Sequence, residues 1–419
     1  MLTLGQYPRD LKTQRRVFLR SGLGAAAASV LSSCGSFRSS SLQSLVAPNL
    51  PSPWHSGIEH VVVVMMENRS FDHFLGWLPT ADGKQEGLSY KDQTGAIHYT
   101  YHLIGDFTGC GHVQPDHSYQ GGRIQYDAGK IDGFLGSGSD DYSIGYYQEE
   151  DLTFFGALAR HYTTLDRYFC SFMGPTFPNR IFLHSAQTDR ISNTPDVCHL
   201  ETIWNRLSNA GVSARCYSPW LKLWGTKYED ITHNFEDYLT DAADDKLPAV
   251  SFVDPPNSAV TGGTDDHPFA DIRNGDAFLS QMYHALVNGP GWPHSVLIVT
   301  FDEWGGFFDH VSPPRVVAPN AIDADLVDGG VLLGFRVPTV IVSPFSRGIP
   351  RLPRVNHTVF DHTSVLKLIE WRWNLSPLTT RDASAEIGNL ASALDFARPR
   401  TELPLLPFAI PVAKSPCEE

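Results

Sequence analysis

The sequence has 419 residues, 42% of them hydrophobic and 19% charged, and a formal net charge of -14 at pH 7. This length suits one large α/β domain with insertions, and this composition excludes a disordered chain. The negative charge argues against a nucleic-acid partner, because nucleic-acid phosphates would be repelled. An acidic protein that handles phosphate must concentrate positive charge locally, and a bound metal ion is one way to do so.

The first 34 residues resemble an export signal. Arg15 and Arg16 begin a twin-arginine pattern, and an apolar, alanine-rich stretch follows over residues 22–31. That stretch is shorter than the roughly 20 apolar residues that span a bilayer. The pattern predicts passage through the twin-arginine export machinery to the periplasm, the cell envelope or the medium. A lipid anchor on Cys34 and ordinary cleavage near it both stay open.

The rest of the chain divides by composition into three parts. A Ser- and Pro-rich tether covers residues 35–56, a folded domain residues 57–408, and a short tail residues 409–419. Within the domain, residues 121–147 are rich in Gly and Tyr and resemble a long insertion or lid. Cys198 and Cys216 are a candidate disulfide pair in an oxidising compartment.

Unbroken runs of β-branched and apolar residues predict strands that are buried on both faces of a parallel sheet. These runs lie at residues 59–66, 296–301 and 337–342, with shorter candidates at 212–217 and 249–253. Helical patterns lie between them at residues 202–209, 275–287 and 364–373. Strands that alternate with helices predict a three-layer α/β/α fold with a mainly parallel central sheet.

Two of the predicted strands end in oxygen-bearing side chains. Glu67 and Asn68 follow the first strand, and Asp302 and Glu303 follow the strand at 296–301. Functional groups in such folds gather at the carboxyl ends of the strands. Carboxylate and amide oxygens suit one divalent metal ion, and calcium, magnesium, manganese, iron and zinc all stay open.

Thr176 is the candidate nucleophile. Pro178 belongs in the first turn of a helix, so Thr176 is expected at or near a helix N-terminus. Backbone N–H groups at such an end favour an anion, for example a phosphoryl group. A threonine hydroxyl attacks only when a base or a metal promotes its ionisation. The alternative is an ordinary helix cap.

Three motifs, at residues 67–73, 174–180 and 302–311, together resemble one known family. It is the bacterial phosphoesterase family of phosphatidylcholine-hydrolysing phospholipases C and related acid phosphatases. The resemblance implies an alkaline phosphatase/sulfatase-like core and places metal ligands on Glu67, Asn68, Asp302 and Glu303. It also implies that Thr176 contacts the metal and forms a phosphothreonine intermediate.

The resemblance implies catalytic histidines at His117, His267 and His310. Arg180 and Asn179 are candidates for contact with the substrate phosphate. A salt bridge from Arg180 to the metal-binding carboxylates is the alternative, and the same choice applies to Arg69. Asp72 and His73 are expected to support the loop that carries Glu67.

The implied function is an exported, metal-dependent phospholipase C that cleaves phosphatidylcholine-type lipids at the membrane surface. An acid phosphatase or small-substrate phosphodiesterase with the same site stays open, as does a non-catalytic lipoprotein that binds a metal or solute. Phe177 and Trp304 depart from the family pattern and put the lipid substrate in question. Aromatic residues available to a choline head group are Tyr146, Tyr147, Trp304, Phe307 and Phe308.

Overall fold

The computed structural model describes residues 50–256 and 263–412. The proposed signal, most of the tether and the end of the tail lie outside these residues. Among the helices within the described ranges, none is both long enough and apolar enough to cross a bilayer.

The described residues form strands and helices that alternate along most of the chain. The strands are β1 (His60–Met66), β2 (Ser89–Lys91), β3 (Ile97–Tyr99), β4 (Tyr101–His102), β5 (Gly145–Tyr146), β6 (Thr163–Leu165), β7 (Ala214–Tyr217), β8 (Val250–Val253), β9 (Ser295–Phe301), β10 (Arg315–Val317), β11 (Gly330–Leu332), β12 (Val340–Val342) and β13 (Arg354–Asn356). The α-helices are α1 (Phe71–Leu75), α2 (Tyr119–Tyr126), α3 (Thr153–His161), α4 (Thr176–Ser185), α5 (Ile203–Asn209), α6 (Phe235–Ala243), α7 (Ile272–Asn288), α8 (Thr363–Trp373) and α9 (Thr380–Ala383).

Seven of these strands form the central sheet, in the order β13-β6-β12-β9-β1-β8-β7. β12 pairs antiparallel with β6 and β9, whereas the other neighbours pair in parallel. The six remaining strands therefore share one direction. β1 and β9 lie in the middle and are buried almost throughout, which accounts for their unbroken apolar sequences.

The helices pack in two groups. α7 packs against α3 and α6, whereas α4 and α8 pack against each other, with α5 beside α4 and α9 beside α8. With the sheet between the two groups, this is the expected three-layer α/β/α fold with a mainly parallel sheet.

Residues 121–147 are packed into the protein body in part. They include most of α2 and all of β5, and Phe134 and Tyr142 within them are fully buried. Phe134 contacts Tyr90 and Phe335 through its ring. The expected disulfide between Cys198 and Cys216 is wrong, because both are buried free thiols. Cys216 lies on β7 in the sheet, where burial raises the pKa of its thiol well above the usual value.

Candidate active site

The register of the sheet brings the acidic strand ends together. Met66 of β1 is level with Phe301 of β9, so Glu67 and Asp302 leave the sheet side by side. The Asp302 N–H donates to Met66 O at 3.1 Å. Val64 is level with Val253 of β8, which brings Asp254 to the same edge. Three neighbouring strands thus each end in a carboxylate at one edge of the sheet.

Arg180 lies among these carboxylates. Its Nη2 is 3.1 Å from Glu67 Oε1, its Nη1 is 2.6 Å from Asp254 Oδ1, and its Nε is 3.6 Å from Asp302 Oδ2. Burial alone lowers the pKa of Arg180, but Asp254, Glu67 and Asp302 raise it above its usual value. Arg180 therefore keeps its charge and holds the ends of three strands together, as the salt-bridge alternative predicts.

Thr176 is the first residue of α4, as Pro178 predicts, and it is 5% exposed. Residues four apart on a helix lie on one face, so Thr176 and Arg180 share a face of α4. Because Arg180 contacts Glu67 and Asp302, the N-terminus of α4 is directed to the acidic edge of the sheet. Phe177 N–H donates to Asn193 Oδ1 at 2.8 Å, which satisfies one donor of this helix end.

Several buried oxygens in this cluster have no hydrogen-bond partner among the described residues. They are Asn68 Oδ1, Asp302 Oδ2 and Glu303 Oε1. Buried polar atoms normally have a partner, so three orphaned acceptors that the fold brings together indicate a ligand. All three belong to residues expected to bind metal, and an oxygen-binding divalent cation would satisfy them. The residues present therefore fit a metal ion.

Burial makes ionisation of the carboxyl groups in this cluster unfavourable. Burial raises the pKa of Asp302 and Glu303 well above ordinary values, and the charge of Glu67 raises both further. Burial and Glu67 also raise the pKa of Asp265 to about 8. Crowded carboxylates of this kind are stabilised as anions by a nearby cation.

The backbone at the strand ends is fitted closely. Asn68 has a φ of 36°, in the left-handed region that few residues other than glycine adopt. Gly305 has a φ of 67°, and a Cβ atom there would lie 2.1 Å from Asn68 O. Only glycine fits at position 305, and the backbone strain at Asn68 is of the kind that clusters at functional sites.

The structure brings two of the three expected histidines together at this site. His117 Nε2 is 3.8 Å from Glu303 Oε1, and the rings of His117 and His267 are 6.2 Å apart. His267 Nε2 is 3.1 Å from Gln114 Nε2. Burial lowers the pKa of His267, although the charge of Glu67 partly opposes this. His267 is therefore biased toward the neutral form.

His310 belongs to a different cluster. Its Nδ1 is 2.5 Å from Asp72 Oδ2, and its Nε2 is 3.2 Å from Asp82 Oδ1. Arg336 completes this cluster with bonds to Asp72 (3.1 Å) and Asp309 (2.9 Å). Both ring nitrogens of His310 are thus engaged by carboxylates, and Asp72 holds the loop that carries His310.

Two other candidates for contact with the substrate, Asn179 and Arg69, instead form hydrogen bonds that order nearby loops. Asn179 is fully buried and donates from Nδ2 to Phe172 O, Gly174 O and Pro175 O at 2.9–3.2 Å. Its Oδ1 accepts from Phe172 N–H. With its amide fully used, Asn179 orders the turn before Thr176 and has no free group for a phosphate.

Arg69 is also fully buried, and it contacts neutral groups. Its Nε donates to Asp266 O at 2.7 Å, and its Nη1 is 3.0 Å from His73 Nε2. His73 Nδ1 in turn bonds Gly145 O at 2.7 Å. These bonds fix the loop that follows Glu67, which is the supporting role expected of His73.

Two buried residues beside the site, Asp254 and His362, were not predicted from the sequence. Asp254 follows the strand at 249–253 directly, the same signal that identified Glu67 and Asp302, and could have been found. His362 is buried with Nε2 2.7 Å from Asp302 O, and burial lowers its pKa to about 4. It comes from the loop before α8, and no local pattern in the sequence marks it.

An open pocket of about 610 Å³ adjoins the start of α4. Its lining residues are Val113, Gln114, Pro115, Asp116, His117, Ser118, Ser137, Gly138, Pro175, Ser192 and Asn193. Because Pro175 precedes Thr176 and His117 lies beside Glu303, the pocket opens next to the acidic edge of the sheet. A hydroxyl at a helix end near buried, unpaired oxygens, with an open pocket beside it, is the arrangement expected of a hydrolytic site for an anionic ester.

Comparison with known proteins identifies the family. Residues 58–376 match the phosphoesterase family, and the chain belongs to this family. It is therefore a hydrolase that acts on phosphoric esters.

Curated relatives are similar over most of the chain. Phospholipase C B of Mycobacterium tuberculosis is 29% identical, across 94% of this chain and 88% of its own. Non-specific phospholipase C6 of Arabidopsis thaliana is 31% identical, across 87% of this chain and 78% of its own. Non-hemolytic phospholipase C of Pseudomonas aeruginosa is 30% identical, across 95% of this chain and 66% of its own.

Solved structures give distant similarities. A protein of the alkaline phosphatase superfamily from Vibrio parahaemolyticus aligns with 81% of this chain and 71% of its own, at 10% identity and a TM-score of 0.39. The phosphonate monoester hydrolase of Agrobacterium radiobacter aligns with 81% of this chain and 78% of its own, at 12% identity and a TM-score of 0.37.

Proposed function

We propose that this hydrolase is a phospholipase C, which releases diacylglycerol from glycerophospholipids, with Thr176 as its nucleophile. The observation that carries the proposal is the position of Thr176, one turn before Arg180 on the face of α4 that meets Glu67 and Asp302. The relatives named phospholipase C support the choice of lipid over other phosphate esters.

The proposal includes one divalent metal ion. Glu67, Asn68, Thr176, Asp302 and Glu303 would hold it, and the orphaned oxygens of three of these residues support that assignment. When bound, the ion supplies positive charge that favours the ionised threonine hydroxyl and the negative charge that develops on the phosphoryl oxygens.

The proposed chemistry takes two steps. Thr176 Oγ1 bonds to phosphorus while the bond from phosphorus to the diacylglycerol oxygen breaks, and the electron pair leaves with that oxygen. A histidine, His267 or His117, accepts the proton of the threonine hydroxyl and delivers it to that oxygen, which leaves as the hydroxyl of diacylglycerol. Water then attacks phosphorus while the bond from phosphorus to Thr176 Oγ1 breaks. The proton that water loses passes through the same histidine to Oγ1, which restores the threonine hydroxyl and releases the head-group phosphate.

The proposal also includes export. Arg15 and Arg16 support the twin-arginine route, with Cys34 as the candidate lipid-bearing residue, and all three lie outside the described residues. An exported enzyme would meet phospholipid at a membrane surface. Replacement of Arg15 and Arg16 by Lys tests the route, because the proposal expects the protein to stay in the cytoplasm.

The test compares substrates on the purified protein from Ser36 onward. Phosphatidylcholine and a simple aryl phosphate monoester are offered from acidic to neutral pH, with and without a chelator, to wild type, Thr176→Ala and Thr176→Ser. We expect diacylglycerol from wild type, less from Thr176→Ser, and a loss of at least about a thousandfold in Thr176→Ala.

The outcomes separate the alternatives. Rapid monoester cleavage with every lipid untouched would make the protein an acid phosphatase with the same site. Full turnover by Thr176→Ala would remove Thr176 as the nucleophile. Full activity after chelation of all divalent metal would show that the reaction needs no metal ion.

A further inference from the structure

The pocket beside Thr176, which we call the head-group pocket, offers neutral hydrogen-bonding groups. Asn193 uses Oδ1 to accept from Phe177 N–H, and its amide NH₂ has no partner among the described residues. The Ser192 hydroxyl likewise has no partner there, and Ser118 Oγ accepts from Gly121 N–H with its own proton free to donate. These groups line one open pocket. A ligand with several hydroxyl groups can both donate to them and accept from them.

The pocket has little that would bind a cation. Its carboxylate, Asp116, accepts from Ser118 N–H at 2.9 Å and packs against Gly121 at the start of α2. Among the described residues that line it, none is Phe, Tyr or Trp. Recognition of a quaternary ammonium group usually needs aromatic faces around it.

The aromatic residues that the sequence offered to choline are not accessible. Each is at most 5% exposed: Tyr146, Tyr147, Trp304, Phe307 and Phe308. Trp304 donates from Nε1 to Gln125 Oε1 at 2.7 Å inside the protein. These rings pack the core and do not form a cage.

One aromatic pair does lie near the nucleophile. Phe177 and Trp220 contact edge to face, with ring centroids 5.6 Å apart. The guanidinium of Arg180 lies 4.2 Å from the centroid of the Trp220 ring. The Arg180 guanidinium therefore already occupies one face of the Trp220 ring. One edge-to-face pair with a ring face already used by Arg180 does not surround a trimethylammonium group as an aromatic cage does.

We infer that the head-group pocket selects uncharged, hydroxyl-rich head groups, such as glycerol, inositol or a sugar, over choline. The inference rests on the proposed phospholipase C function and deepens it. The polar walls suit the head group, because acyl chains gain nothing from hydroxyl and amide groups. The discrimination comes from hydrogen bonds that choline cannot make.

The test uses short-chain lipids as monomers, so that membrane surface charge plays no part. Dihexanoyl phosphatidylglycerol, phosphatidylinositol and phosphatidylcholine are compared by kcat/KM, with an aryl phosphate as a fourth substrate. We expect the hydroxyl-bearing lipids to exceed phosphatidylcholine by at least about tenfold. Ser192→Val and Asn193→Leu should bring that ratio toward one, whereas Ser208→Val, on exposed α5 surface, should leave it unchanged.

Each outcome has one meaning. Phosphatidylcholine turned over as fast as the other lipids, or faster, would overturn the inference and leave the phospholipase C in place. A tenfold preference that survives both pocket variants would also overturn it, because other residues would then read the head group. Cleavage of the aryl phosphate with all three lipids untouched would overturn the proposed function itself. Melting temperatures of all variants show whether each one is folded.

Discussion

Two buried acidic clusters lie beyond β1 and β9, and each contains an arginine. In the first, Arg180 forms ion pairs with Glu67 and Asp302, yet one carboxylate oxygen each of Asp302 and Glu303 accepts no hydrogen bond from the described residues. In the second, Arg336 meets Asp72 and Asp309. There every carboxylate oxygen is bonded: those of Asp72 by Lys84 N–H, Arg336 and His310, and those of Asp309 by Arg336 and Val311 N–H.

The difference distinguishes a cluster that can bind a ligand from a cluster that only stabilises the fold. A fully bonded cluster has no capacity left for a ligand and serves to join loops. A cluster that leaves buried acceptors without hydrogen bonds costs stability unless something binds there. Asp72, Asp309 and His310 approach closely enough to hold a metal. The guanidinium of Arg336 already fills that role as their cation.

The largest effect is expected from Asp302→Asn, which removes a carboxylate from the first cluster. Turnover of the best phosphate ester should fall on the order of a thousandfold, because the site loses a carboxylate that would hold the proposed metal ion. Stability in the presence of a chelator should be kept or improved, because the crowding that raises the pKa of Asp302 is relieved. Steady-state kinetics and urea unfolding check the two parts. If the Asp302→Asn variant were active but unstable, the first cluster would also serve to stabilise the fold.

Arg336→Met tests the second cluster. It leaves Asp72 and Asp309 buried without their cation, which should lower the free energy of unfolding by about 3 kcal/mol or more. Urea unfolding measures the change, and turnover of the folded fraction should stay near that of wild type. Arg167→Met is the matched control, since Arg167 pairs with Asp82 at the surface and should matter little. A stable but inactive Arg336→Met would reverse the assignment of the two clusters.

The sequence predicted the long buried strands and the acidic residues that follow them better than it predicted the short strands. β1, β9 and β12 were found because unbroken β-branched runs are typical of buried strands, and Glu67 and Asp302 were found because they follow such runs. β6 and β13 were missed because three residues carry no periodicity. Arg180 could be placed near Thr176 by its spacing.

Long-range pairing accounts for what the sequence could not predict. His310 follows the Asp302 motif closely and was expected at the catalytic site, yet it turns to Asp72 and Asp82. Only the folded loop decides which neighbours a side chain four or more residues past a strand will meet. For the same reason Asn179, three residues after the proposed nucleophile, donates to the backbone of the turn before Thr176.

His267→Asn and His310→Asn form the next comparison. His267 lies with His117 at the first cluster, so His267→Asn should lower kcat about a hundredfold, as expected for loss of a general acid. His310→Asn should keep kcat within a fewfold and lower the urea midpoint instead. Kinetics at saturating substrate and unfolding of both variants decide the matter. The opposite pattern would return His310 to the catalytic group.

The smallest expected effect is the pH dependence of stability contributed by the second cluster. Burial, opposed by Arg336 and reinforced by Asp72, raises the pKa of Asp309 to about 7. The native state then binds a proton that the unfolded state has already lost above pH ~4, so stability falls as pH rises from about 4 to 7. His310 acts with the same sign. Burial lowers the pKa of His310, and Arg336 lowers it further. Asp72 and Asp309 raise it by more, so the net pKa lies above the usual value.

The contribution of His310 is therefore complete below pH ~6.5 and is lost as pH rises through its folded pKa. Urea midpoints at pH 5, 6.5 and 8, with a chelator present, should fall steadily in wild type. In His310→Asn the fall above pH 6.5 should be shallower. Asp265 in the first cluster titrates with the same sign, so only the difference between wild type and variant reports on His310. Parallel curves for the two proteins would show that Asp72 does not hold a charged His310, and the second cluster would then owe its stability to Arg336 alone.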